Sequence, residues 1–173
     1  MGVTGDLLLI RHAKAAGQAP DAPLTPDGAE AAQRLADTLA GAGIIRIVSS
    51  PWRRAADTAR PLATRLELEV EMDGRLTERV LSGADLPDWM THLEASFADL
   101  DLALPGGESG RVARARSLAA LAEARDPGGV TAVFTHGNLL ALALGLDHAG
   151  WAGLRNPDVW RLDGEGRAVR VGT

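Results

Sequence analysis

The chain has no cysteine, which excludes disulfides and thiolate chemistry and leaves its redox compartment open. It has no apolar run approaching the ~20 residues needed to span a bilayer. Nor does a basic segment lead into a long apolar stretch near the N-terminus, so the expectation is a cytoplasmic protein without a secretory signal or membrane contact. Basic excess is also missing: a net charge of −5 argues against a general nucleic-acid footprint. Lysine is nearly absent, Lys14 standing against seventeen arginines. With such a bias, an arginine is evidence for function only where a motif sets its place. The four histidines show no metal-ligand spacing, so no metal and no cofactor are expected. There is no linker, internal repeat or low-complexity stretch.

What is present suits one globular domain: 173 residues, 46% apolar and 24% charged. Leu7-Leu8-Leu9-Ile10 reads as a strand buried on both faces. It runs straight into Arg11-His12, two anion-seeking groups at a strand's carboxyl end, where ligands of open α/β folds collect. Val130 to Thr135 repeats the pattern and ends in His136-Gly137-Asn138. A third apolar run, Ile44 to Val48, precedes Ser49-Ser50-Pro51-Trp52-Arg53-Arg54-Ala55. Strands alternate with helices, which predicts an α/β three-layer sandwich: a mostly parallel central sheet with helices on both faces. Thr25-Pro26 caps a helix to about residue 40, and Ser50-Pro51 is expected to open the next, to about Leu66. A third strand is expected over Leu68 to Met72, and helices after Pro87, over 108–125 and from His136 to Leu146. An edge hairpin is expected over Val159 to Leu162 and Ala168 to Val171.

In this order the motifs resemble the histidine phosphatase superfamily, in its phosphoglycerate-mutase-like branch. Arg11-His12, Ser49 to Ala55 with Arg54 as the motif arginine, Glu78 in Leu76-Thr77-Glu78-Arg79, and His136-Gly137 carry the resemblance. Leu24-Thr25-Pro26-Asp27-Gly28 and Gly107-Glu108-Ser109 add to it. The match runs from about residue 7 to 140, and its specificity lies in the full set. It implies a phosphoglycerate-mutase-like fold in a single domain over 1–173, with a short cap insertion at about 79–107. It also implies a metal-independent phosphomonoester hydrolase acting on a small phosphorylated metabolite.

Phosphoryl transfer needs fixed positive charge around the transferring oxygens. Arg11 and Arg54 supply it as planar forks. The resemblance makes His12 the nucleophile that forms a phosphohistidine, a role a neutral imidazole can fill at pH 7. It makes His136 a second phosphate donor and Glu78 the general acid, a role that requires a proton on the carboxyl at working pH. A strand-end histidine in isolation is more often structural, and only the ordered set changes that reading. Two departures stand out: the usual glycine after the histidine is Ala13, and the usual asparagine six residues on is Gln18, which can still donate an amide to phosphate. Asn138 is the other candidate phosphate contact. His92, His148 and Arg53 fall outside the motifs and are read as packing or surface residues.

The cap is short and carries Arg79 and His92 against Asp85, Asp88, Glu94, Asp99 and Asp101. An unpaired like-charge contact costs about 1–4 kcal/mol near a surface, so a substrate with a second anionic end is disfavoured there. Trp89, Met90 and Phe97 offer an apolar face instead. This favours a phosphatase over a phosphoglycerate-type mutase. A phosphohistidine protein phosphatase or a non-catalytic phospho-ligand binding module is the remaining alternative, against which the intact set with Glu78 argues. The expected partner is a small phosphomonoester; the oligomeric state is not legible in sequence.

Overall fold

A computed structural model describes residues 5–172. Six strands form one sheet in the order β3-β2-β4-β1-β5-β6: β1 (Leu7–Arg11), β2 (Ile44–Ser49), β3 (Val70–Met72), β4 (Val130–Thr135), β5 (Asp158–Leu162) and β6 (Ala168–Arg170). The first four are mutually parallel where they pair, while β5 runs antiparallel to both β1 and β6. Six helices surround it: α1 (Pro26–Leu39), α2 (Arg53–Leu66), α3 (Trp89–Ala98), α4 (Gly110–Ala124), α5 (Gly137–Leu144) and α6 (His148–Ala152).

The unbroken apolar run of β1 follows from its position. Side chains alternate across a strand: Leu8 and Ile10 enter a core with Leu35 and Leu39 of α1 and Leu62 of α2, while Leu7 and Leu9 enter the opposite core with Leu121 of α4 and Leu140 of α5. Each such side chain, withdrawn from water, contributes about 1.5–3 kcal/mol. No polar alternation is possible because neither face meets water.

Side-chain caps mark the starts of α1 and α4, the first of them as expected. Thr25 Oγ1 accepts from Gly28 N at 3.0 Å with Pro26 in the first turn, and Ser109 Oγ accepts from Val112 N at 3.1 Å. Others were superseded. The second helix begins at Arg53, not Ser50-Pro51, because Ser50 N continues the sheet by donating to Phe134 O at 2.9 Å. Its N-cap is Trp52, without a side-chain bond. It ends in a left-handed Glu67 (φ 55°), a conformation no local signal announced. The third strand is three residues long. The helix after His136 stops at Leu144, capped by Gly145 in the left-handed region, and α6 was not expected. The terminal hairpin is present, but only β6 is an edge, since β5 pairs with β1.

The central trio β2-β4-β1 matters most for function. Its register sets Arg11 beside Thr135 and Ser49 beside Phe134, so three neighbouring strands release their chains together at one carboxyl edge. The residues that follow are His12, Ser50 and His136.

Candidate active site

His12 leaves β1 with its backbone held on both sides: its N–H donates to Thr135 O at 3.1 Å, and its carbonyl accepts from Asn156 Nδ2 at 3.0 Å. The ring Nδ1 lies 2.7 Å from Ala13 O. A carbonyl can only accept, so Nδ1 carries the proton and Nε2 presents its lone pair; the tautomer is thus assigned by its partner. Arg54 Nε donates to that Nε2 at 3.1 Å, in agreement. Burial, with the Arg54 and Arg11 cations adding to it against the favourable Ala13 contact, pulls His12 down to about 4. At neutral pH the imidazole is therefore uncharged and nucleophilic.

Arg54 is almost fully buried, at 2% exposure. Its Nη1 donates to Gln18 O and Ala19 O, each at 3.1 Å, and its guanidinium lies 5.1 Å from the Trp52 ring centroid. Thr58, one helical turn on, receives Ala13 N at 3.0 Å and donates to Arg54 O at 2.7 Å. The loop after His12 and the helix that carries Arg54 are thereby locked together.

Arg11 anchors through Nη1 to Leu154 O at 3.2 Å, and its guanidinium lies against Gly137. A Cβ at residue 137 would stand 2.6 Å from Arg11 Nε, so glycine there is a matter of close approach. Gly137→Ala is expected to leave the fold intact but displace the guanidinium, raising the KM for a phosphomonoester roughly 10- to 100-fold. Steady-state kinetics with a melting curve as control would check it; an unchanged KM would refute the placement.

His136 is fully buried, its Nε2 2.8 Å from Ser50 Oγ and its ring 5.2 Å from that of His12. Burial, with the neighbouring His12, Arg54 and Arg11 adding to it, holds it well below the ordinary histidine value. Glu78 reaches the same edge from the segment after the 3-10 turn Gly74–Leu76. Its Oε1 accepts from Arg79 N (2.8 Å) and Leu139 N (2.9 Å), and its Oε2 from Asn138 N (3.1 Å). Each carboxyl oxygen has two acceptor positions, so one position on Oε2 stays open. Arg116 holds the approach to Glu78 by donating to the carbonyls of Arg75, Thr77 and Glu78.

Three buried polar atoms here have no protein partner: Arg11 Nε, His136 Nδ1 and Asn138 Oδ1. Buried polar groups are ordinarily satisfied, and such a group of orphans suits a polyoxygen anion, with the Asn138 amide free to turn either end toward it. Above them opens a cleft of about 660 Å3, lined by Arg11, Gln18, Arg54, Glu78 and Asn138. His12 and His136 are buried and are not among the lining residues; Arg54, which lines the cleft, donates to His12 Nε2. A groove of about 710 Å3 between α1 and α2 is roomier but holds none of the candidate site residues, which gather at the first.

The seven residues singled out from sequence thus come to one edge. Gln18 does so less directly: it is exposed, and its hydrogen bond to Arg54 runs through its backbone carbonyl. Ser50, Thr58 and Asn156 join the site without being among the candidate site residues of the sequence. Ser50 belongs to the Ser-Ser-Pro motif and Thr58 follows Arg54 by one turn, which were usable signals; Asn156 offered none. The residues read as bland stay so: Arg53 pairs with Asp57, His92 with Asp88 at 3.2 Å, and His148 packs between Phe97 and Trp151. Among the described residues, no group of three His, Cys, Asp or Glu could hold a metal ion, and no helix is long and apolar enough to cross a membrane.

Sheet order and paired histidines define an α/β protein of the phosphoglycerate-mutase-like type. The chain belongs to the histidine phosphatase superfamily (branch 1), which it matches over residues 7–168. It is 38% identical over 109 residues to a glucosyl-3-phosphoglycerate phosphatase of Mycolicibacterium vanbaalenii, covering 58% of this chain and 44% of that protein. Its fold resembles mycobacterial glucosyl-3-phosphoglycerate phosphatase in complex with inorganic phosphate, with a TM-score of 0.77, 29% identity and coverage of 98% and 96% of the two chains. A phosphoglycerate mutase of Bacillus anthracis shares the fold at a TM-score of 0.74 and 19% identity, covering 97% of this chain and 92% of that one. The matches to curated relatives span between 31% and 47% of those proteins' length.

Proposed function

We propose that the protein is a metal-independent phosphomonoester hydrolase that acts on a small phosphorylated metabolite through a phosphohistidine on His12. The observation that carries this reading is the Nδ1 contact to Ala13 O, which turns the Nε2 lone pair toward the arginines. Phosphate oxygens offer Arg54 a charge-assisted acceptor in place of His12 Nε2. Once Arg54 moves to them, Nε2 is free to attack phosphorus. The P–N bond forms as the P–O bond to the alcohol breaks, and Glu78 passes its proton to the departing oxygen. A water then attacks phosphorus, its proton returns to Glu78, and the P–N bond breaks to release inorganic phosphate. His136 and Arg11 donate to the transferring oxygens throughout. Residues 79–107 form the cap over this chemistry.

The phosphatase names of the relatives with 29% and 38% identity support hydrolysis rather than transfer between two ends of one substrate. Hydrolysis of 4-nitrophenyl phosphate in the presence of a chelator is the direct test. Turnover that survives the chelator is the expected result. Bound phosphate without turnover would instead identify a binding module or an enzyme specific for phosphohistidine.

A further inference from the structure

The cleft above the phosphate site has a composition that narrows what it accepts. Its lining contains three cations, Arg11, Arg54 and Arg79. The first two belong to the phosphate position. Arg79 is 5% exposed and already engaged, with Nη1 on Ser96 Oγ at 2.7 Å and Nε and Nη2 on Glu108 O at 3.3 and 3.2 Å. No lining cation is therefore left for a second anionic group. Asp85 faces the cleft from the cap, exposed, and its side chain makes no hydrogen bond or ion pair with the described residues. A carboxylate or second phosphate entering here meets a free negative charge and no counter-ion.

Apart from Ser82, the rest of the cap side is apolar: Leu81, Leu86 and Trp89, with Trp151 of α6 and Trp52 beside the phosphate position. Trp89 opens α3 with 48% of its surface exposed, a large apolar side chain left to solvent where it borders a cleft. Flat rings of this kind bury flat apolar ligands well.

We infer that the cleft takes monoesters whose alcohol half is flat and apolar and carries no second anion, with Trp89 as the contact for that half and Asp85 as the group that turns away substrates with a second anionic group. The inference rests on the hydrolase reading above. Three substrates test it: 2-phenylethyl phosphate, glycerol 3-phosphate and 3-phosphoglycerate. All release a primary alcohol, so differences in kcat/KM report recognition. The phenylethyl ester is expected to exceed 3-phosphoglycerate at least about tenfold. Trp89→Ala should raise the KM for the phenylethyl ester about fivefold and leave glycerol 3-phosphate within about twofold, while Trp89→Phe restores most of the loss. Asp85→Asn should improve 3-phosphoglycerate alone. Both positions are exposed, and melting temperatures matching wild type would confirm intact folds. A wild-type preference for 3-phosphoglycerate, or a Trp89→Ala loss equal for all three, overturns the inference while leaving the hydrolase reading in place. No hydrolysis of any of the three by protein that turns over 4-nitrophenyl phosphate overturns this inference alone; no turnover of 4-nitrophenyl phosphate either overturns the hydrolase reading, and this inference with it.

Discussion

Replacing His12 with alanine is expected to lower kcat by about 10^4-fold or more, the scale seen when a covalent nucleophile is removed. Arg11 and Arg54 remain, so inorganic phosphate should still bind, which separates loss of chemistry from loss of the site. The pH dependence gives a second reading. With His12 drawn down to about 4 by burial and its neighbouring arginines, the nucleophile stays unprotonated through the neutral range. The acid limb of kcat/KM that belongs to His12 should accordingly lie near pH 4 rather than near 6.5. Stability follows the same proton. Unfolded, His12 takes up its proton near pH 6.5; folded, near 4. Between those values the unfolded chain binds more protons, so stability falls as pH falls, by about 3 kcal/mol from this group. Thermal unfolding of wild type and His12→Ala between pH 7 and 4 should show a steeper decline in wild type. Parallel curves would mean that His12 titrates normally and is not held as described.

The second large effect belongs to Glu78. Glu78→Gln is expected to lower kcat about 10^2- to 10^4-fold for an ester of a primary alcohol, the range of a positioned general acid. The amide oxygen can keep the two bonds from Arg79 N and Leu139 N, but its NH2 then meets the Asn138 N–H, donor against donor. For 4-nitrophenyl phosphate, whose leaving oxygen needs little protonation, the loss in the first step should be far smaller. A leaving-group-dependent loss in kcat/KM, which excludes the shared hydrolysis of the phosphohistidine, marks proton donation; an equal loss in kcat/KM for both esters would mark disruption of the α5 N-terminus instead.

How much of this was legible beforehand differs by element. The start of the helix after Thr25 is readable because a cap is a contact over three residues, whereas the expected start at 108 falls two residues ahead of the helix that Ser109 caps. The start of α2 was not, since Ser50 has two local options, capping a helix or extending the ladder. Only the neighbouring β4 carbonyl selects the second. The cap's basic residues were counted from sequence as available charge, yet Arg79 is engaged by Ser96 and Glu108 from segments 17 and 29 residues away.

The sequence by itself determined the buried strands, the alternation that makes a mostly parallel sheet, and the residues that follow each strand. These depend on side-chain periodicity and on caps and turns within a few positions. Tertiary structure alone decided the chemical state of those residues. The lone pair of His12 faces Arg54, 42 positions away; His136 is seated on Ser50, 86 positions away; Glu78 is held by the first turn of α5, some 60 positions on. Burial and hydrogen-bond partners set protonation and tautomer, and both arise from which distant segments the sheet brings to the same edge.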